Sequence, residues 1–180
     1  MTSLILRYGI VGGLIGAIPM LVQWLPLKEG DHPPGGLMLG YTVMLVALTT
    51  VFLGVKQYRD RKLGGVIRFL PALGVGLGIS TVACVFYVIG WEIVTAYGDF
   101  DFTGWYTKSM IEAARANNAS PAELQQAIAE AESFAKSYAK PWVRIPITFV
   151  EMFPVGVLVS LISAALLRNS RFMPSRMAAH

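Results

Sequence analysis

Two acids stand where the chain leaves little to solvate them. Glu92 and Glu151 each fall inside a long apolar run, Val88-Ile89-Gly90-Trp91-Glu92-Ile93-Val94 and Phe149-Val150-Glu151-Met152-Phe153. A carboxyl in hydrocarbon costs roughly 3 kcal/mol on insertion scales, so it faces a partner or a watery cavity. Glu151 lies about nine residues into its run, roughly 13 Å along a helix that rises about 1.5 Å per residue. Pro146 and Pro154 flank it. Each removes a backbone donor, and the carbonyls so freed could join Glu151 in lining a small polar site. Arg144 precedes Glu151 on nearly the same helical face and is its expected charge partner.

If the runs carrying Glu92 and Glu151 are neighbours, the two carboxyls could share a proton or a cation. The alternative is polar glue: an acid that fixes how helices pack, with no substrate at all. Glu92 sits nearer the end of its run and can snorkel toward the headgroups.

A second candidate is basic. Lys56, Arg59, Arg61 and Lys62, followed by Arg68, face a single acid, Asp60, which is expected to pair locally. These cations suit anionic lipid headgroups or an acidic partner, although basic loops also arise from topology alone. Other chemistry is poorly represented. Cys84 is the one cysteine and reads as a small core residue, so no intramolecular disulfide exists. The histidines, His32 and His180, lie outside the apolar runs, which leaves no nucleophile–His–acid set in the membrane and no metal framework. Gly74, Gly76 and Gly78 lack the lysine of a phosphate loop. No cofactor and no nucleic acid are expected as ligands.

The elements that must position these groups follow from hydropathy. The chain of 180 residues is 54% apolar and only 14% charged, with a positive mean hydropathy and a net charge of +4. Soluble domains carry nearer a quarter charged residues. Four windows, about 4–25, 36–55, 69–96 and 142–167, reach the roughly 20 residues needed to cross hydrocarbon. Open strands cannot cross lipid with unpaired backbone groups, so the windows predict helices. Trp24-Leu25-Pro26-Leu27 is not a small-residue cleavage site, and the first window is expected to be a retained helix. The fold class is therefore all-α, a single membrane domain over 1–180 built as a four-transmembrane-helix bundle.

Charge sets the expected orientation. Arg7, the basic run Lys56–Arg68, and Arg168, Arg171 and Arg176 in the tail would face the cytoplasm, with both termini inside. Trp24, Trp91, Trp105 and Trp142 gather at the opposite side, with Tyr41, Tyr97, Tyr106 and Tyr138, as one aromatic belt. The insertion 97–141 then becomes an extracytoplasmic helical hairpin. Ser120-Pro121-Ala122-Glu123 is a capping box with proline at the first helical position. Leu124, Ile128, Ala131, Ala135 and Tyr138 share one face of the helix it opens, and a shorter helix over about 105–116 precedes a break at Asn117-Asn118. That apolar face could pack on the helix ends or lie on lipid. Gly9-x-x-x-Gly13, Gly12-x-x-x-Gly16 and Gly74-x-x-x-Gly78 permit close backbone approach, within the chain or between copies. Ser80, Thr81 and Tyr87 read as interhelical hydrogen bonders.

Several motifs resemble a known pattern. Gly40-Tyr41-Thr42-x-Met44, Phe52-x-Gly54-x-Lys56-x-Tyr58-Arg59-Asp60 and Gly64-Gly65 are similar to the signature of an uncharacterised bacterial family of small four-helix integral membrane proteins. Phe149-x-Glu151-x-Phe153-Pro154-Val155-Gly156 and Ser160-Leu161-Ile162-Ser163-Ala164 extend the resemblance into the fourth span. It implies a multi-pass protein of the bacterial inner membrane and brings no activity with it. The functional expectation is a non-enzymatic structural or accessory component that binds lipid, a membrane partner protein or further copies of itself as a homo-oligomer. The alternative is a small oligomeric carrier, coupled to an ion or proton through Glu151 and Glu92.

Overall fold

The computed structural model describes residues 1–31 and 36–174; His32, Arg176 and His180 lie outside them. Six helices make up the described chain: α1 (Thr2–Trp24), α2 (Gly36–Lys62), α3 (Phe69–Tyr97), α4 (Phe102–Ala116), α5 (Pro121–Tyr138) and α6 (Pro141–Leu167). No strand occurs among the described residues. Helices α1, α2, α3 and α6 are long and apolar enough to cross a bilayer, which makes this a multi-pass membrane protein.

The helix limits match the hydropathy windows to within two residues in α1, α3 and α6, and α2 outlasts the apolar window that ends near residue 55. It runs on to Lys62, because a helix closes its own backbone hydrogen bonds whether lipid or water surrounds it. Gly64 (φ 63°) and Gly65 (φ 92°) end it in the left-handed region that a side chain resists. The Leu63 and Gly65 N–H groups both donate back to the Arg59 carbonyl, at 3.2 and 3.0 Å.

Small residues set the spacing of the long helices. Gly9 and Gly13 bring α1 against Val82 and Phe86 of α3, while Gly12 and Gly16 face Thr50 and Ala47 of α2. At Gly13 a Cβ would land on the Phe86 side chain and 3.1 Å from the Ala83 carbonyl oxygen. The glycines of the first span thus serve packing within the chain. Gly74 departs from expectation: open space surrounds it. The close approach on α3 is at Gly76, where a Cβ would meet Ser160 of α6. Helices α1 and α6 each pack on α2 and α3, which also touch one another. Leu48, Val51, Val55, Val75, Ile79, Ala83, Cys84 and Met152 fill the space between them. Outward, Val11, Ile18, Leu53, Val85, Val150 and Leu158 are exposed, as lipid contact requires.

The insertion forms a hairpin of α4 and α5. Asp101 caps α4 by accepting the Gly104 N–H at 2.9 Å and the Thr103 hydroxyl at 2.8 Å, and the Gly104 contact first of all holds its carboxyl below the ordinary carboxylate range. The capping box of α5 is complete: the Ser120 N–H donates to Glu123 Oε2 at 2.7 Å and the Glu123 N–H to Ser120 Oγ at 3.4 Å. Asn118, at φ 54°, makes the turn between the two helices. Trp24, Trp91, Trp105 and Trp142 all lie at the hairpin end of the long helices, the end expected of the aromatic belt. Trp24, Trp91 and Trp105 turn inward with Phe100 and Phe102 into one edge-to-face cluster, because α1, α3 and the start of α4 bring the rings within 5.1–6.4 Å of each other. Trp142 and Tyr97 remain exposed. Trp91 Nε1 donates to the Tyr138 hydroxyl at 2.8 Å, which ties the end of α5 to α3, while α5 packs mainly on α4.

Gly13→Val should therefore force α1 from α3 and lower unfolding stability in detergent by about 1–3 kcal/mol. Gly74→Ala, in open space, should change it by less than about 0.5 kcal/mol. Equal losses in a thermal unfolding series would contradict this packing.

Candidate functional site

Antiparallel pairing of α3 and α6 places the polar groups of the membrane region. At its centre, Gly76-x-x-x-Ser80 on α3 faces Gly156-x-x-x-Ser160 on α6, each glycine opposite the other helix's serine. Ser160 Oγ donates to the Gly156 carbonyl at 2.7 Å and lies 3.1 Å from Ser80 Oγ, which is 3.2 Å from the same carbonyl. All of it is buried. Ser80 does bond between helices as expected, whereas Thr81 turns to its own helix and donates to the Leu77 carbonyl at 2.9 Å.

Nearer the hairpin, Arg144 does not pair with Glu151. Its Nε donates to Glu92 Oε1 and its Nη2 to Glu92 Oε2, both at 2.7 Å. The correction has a geometric cause. Seven residues along one helix separate two side chains by about 10 Å, while the antiparallel crossing sets Arg144 of α6 directly across from Glu92 of α3. The result is a planar two-bond fork, the strongest form of carboxylate–guanidinium contact. The side chains are 27% and 14% exposed, so the fork lies at the edge of the helix packing.

Glu151 stands apart from all of this. It is exposed and has no hydrogen-bond or ion-pair partner among the described residues. On α6 it sits among Ile147, Val150, Pro154 and Leu158, every one of them exposed. Neither a hydrogen bond nor an ion pair joins it to Glu92, whose carboxyl is taken by Arg144. It lies within electrostatic reach of the Tyr87 and Tyr138 hydroxyls without bonding either. Helix α6 runs unbroken through Pro146 and Pro154, so the expected loosening does not interrupt it.

At the other end, the expected lipid-contact set divides. Arg59 is fully buried: its Nε donates to Asp60 Oδ1 at 2.7 Å and its Nη1 to the Phe172 carbonyl at 2.9 Å, while Nη2 donates to the Met173 carbonyl. Its donors are spent on Asp60 and on the turn after α6, and it is withdrawn from any headgroup. Lys56 binds Asp60 at 2.6 Å and is partly covered, so Asp60 does pair locally. Arg61 and Lys62 remain exposed, and Arg7, Arg68, Arg168 and Arg171 join them on the same end of the helices. That end carries six exposed cations and no exposed acid among the described residues.

Sequence reasoning missed the Gly76–Ser160 and Ser80–Gly156 lock, although the repeated Gly-x-x-x-Ser spacing was there to find. It could not have found the acceptors of Arg59, because main-chain carbonyls leave no mark in residue type.

The sequence profile of a family described as proteins of unknown function, DUF4199, matches residues 7–169. The chain belongs to the DUF4199 family. No curated protein and no solved structure matches it. The matched region takes in the Glu92–Arg144 fork, the serine lock, Glu151 and Arg59 alike.

In a double-mutant cycle, Glu92→Gln and Arg144→Gln should each lower thermal stability and couple by about 1 kcal/mol. Arg144→Gln with Glu151→Gln should instead be additive to within about 0.5 kcal/mol. Coupling to Glu151 in place of Glu92 would overturn the fork.

Proposed function

We propose that this DUF4199 protein is a non-enzymatic accessory component of the bacterial inner membrane, which associates laterally with another membrane-embedded chain through the exposed face of α6. One observation carries this reading: the unpartnered Glu151 carboxyl, about 15 Å along α6 from its first residue, set among side chains that otherwise suit lipid. Lipid offers a carboxyl nothing to bond, and an acid at that depth is normally satisfied by protein or by water held in protein. The satisfied state of α6 is then an assembled one.

The cationic end is read as cytoplasmic, with Arg61, Lys62, Arg68 and Arg168 against anionic headgroups. This puts both termini inside and the α4–α5 hairpin outside. The acidic composition of the hairpin end, where Glu29, Asp31, Asp99, Asp101 and Glu112 lie, supports the same direction.

In mild detergent the parent should have a protein mass above that of one chain, and Glu151→Leu should shift it to the monomer. Size-exclusion chromatography with light scattering reads both. A monomeric parent, or an unchanged mass in the variant, would remove the basis of the proposal. Proteoliposome flux abolished by Glu151→Gln would move the conclusion to a carrier.

Orientation has its own check. With Cys84 replaced by serine, Ala119→Cys should react with an impermeant maleimide on intact cells, and Arg61→Cys only after permeabilisation. Labelling of both from one side would refute the threading.

A further inference from the structure

We propose that the chain α6 docks against is a second copy of itself, with the two α6 helices parallel and their Glu151 carboxyls hydrogen-bonded to each other across a two-fold axis. The inference rests on the lateral association proposed above and names its partner.

Spacing gives the first argument. Ile147, Glu151, Pro154, Leu158, Leu161 and Ala165 are all exposed. They recur at intervals of four and three residues, the pattern that keeps one seam of a helix facing a partner at a crossing of about +20°. Glu151 falls within this seam and not on its border. Pro154 and Ala165 present little bulk and allow the backbones to approach.

Chemistry gives the second. Glu151 is the one ionisable group in the seam, so whatever meets it must match it in both depth and bonding. A carboxylic acid carries one O–H donor and spare acceptor capacity. Two such groups facing each other exchange a reciprocal pair of O–H···O bonds and satisfy themselves with no third group. A foreign Lys or Arg would instead bring a second charge out of water, at a desolvation cost the neutral pair avoids. Symmetry makes the match in depth automatic. Copies inserted in the same direction, and related by an axis along the bilayer normal, set each seam residue opposite its own duplicate.

No other face gives such a reason. The depression on α1 bordered by Val11, Leu14, Ile15, Ile18 and Pro19 is wholly apolar and offers nothing to specify an occupant. The cationic end already has lipid headgroups to meet.

Single cysteines on a Cys84→Ser background test the pairing in native membranes. A disulfide needs Cα atoms within about 7 Å, so copper-catalysed oxidation should join Ile147→Cys and Leu158→Cys chains into a species of twice the chain mass. Val85→Cys on α3 and Leu53→Cys on α2, both exposed, should stay single. Adding Glu151→Leu should cut the Leu158→Cys dimer by about fivefold. Glu151→Gln should retain it, because two amides can also bond reciprocally. Failure of the seam cysteines to join, or joining equal to that of the controls, in chains that unfold like the parent, overturns the copy-to-copy pairing. If Glu151→Leu nevertheless lowers the assembly mass, a different chain sits on α6 and only this inference falls. If mass and cross-linking are both indifferent to residue 151, both readings fall.

Discussion

Lipid gives no hydrogen bonds, and the arrangement of this chain follows from that lack. Helix α2 carries its chain through apolar surroundings without a break because each backbone N–H finds its acceptor one turn back. The same rule applied to side chains explains why Thr50, Thr81 and Thr148 each bond a carbonyl of their own helix, at 2.7, 2.9 and 3.0 Å. Hydrophobic burial, which organises soluble cores, contributes little between helices in hydrocarbon. Close backbone approach at small residues takes its place. Gly13 against Ala83, and Gly76 against Ser160, are two such approaches.

Groups too polar for an in-helix solution are resolved in three further ways. The serines of α3 and α6 share one carbonyl at the centre of their crossing. Glu92 and Arg144 neutralise each other near the hairpin, where part of the fork still reaches the surface. Arg59 is turned inward at the opposite end and bonded to main-chain oxygens. Glu151 follows none of these routes, and it is this departure, more than its identity as an acid, that points to a partner outside the chain. The aromatic cluster of Trp24, Trp91, Trp105 and Phe102 plays a separate part. It ties the hairpin to α1 and α3, so the polar insertion is held at a fixed position over the long helices.

The sequence was most legible where one physical signal dominates. Hydropathy gave the four long helices to within a residue or two, apart from the extension of α2, and Ser120 with Glu123 gave the start of α5 to the residue. Pairing was harder. Arg144 lies near Glu151 in the chain and near Glu92 only once α3 and α6 cross, so local spacing favoured the wrong acid. Arg59 looked like its basic neighbours because exposure is a property of the fold, and Gly74 looked like Gly76 because both sit in a run of alternating glycines. Residue type gathers the tryptophans at one end of the helices but does not say which rings find each other.

Arg59 lies 113 residues before Phe172, the carbonyl that receives it. A ribosome that has delivered α1, α2 and α3 to the membrane has therefore released a guanidinium whose acceptors have not yet been made, apart from Asp60 beside it. Until α6 arrives, that charge must hold water or headgroups near the end of α2 and keep the site hydrated. Only with the last helix and the turn after it in place can the guanidinium exchange those surroundings for the Phe172 and Met173 carbonyls, which ties the end of α2 to the final stretch of chain to be made.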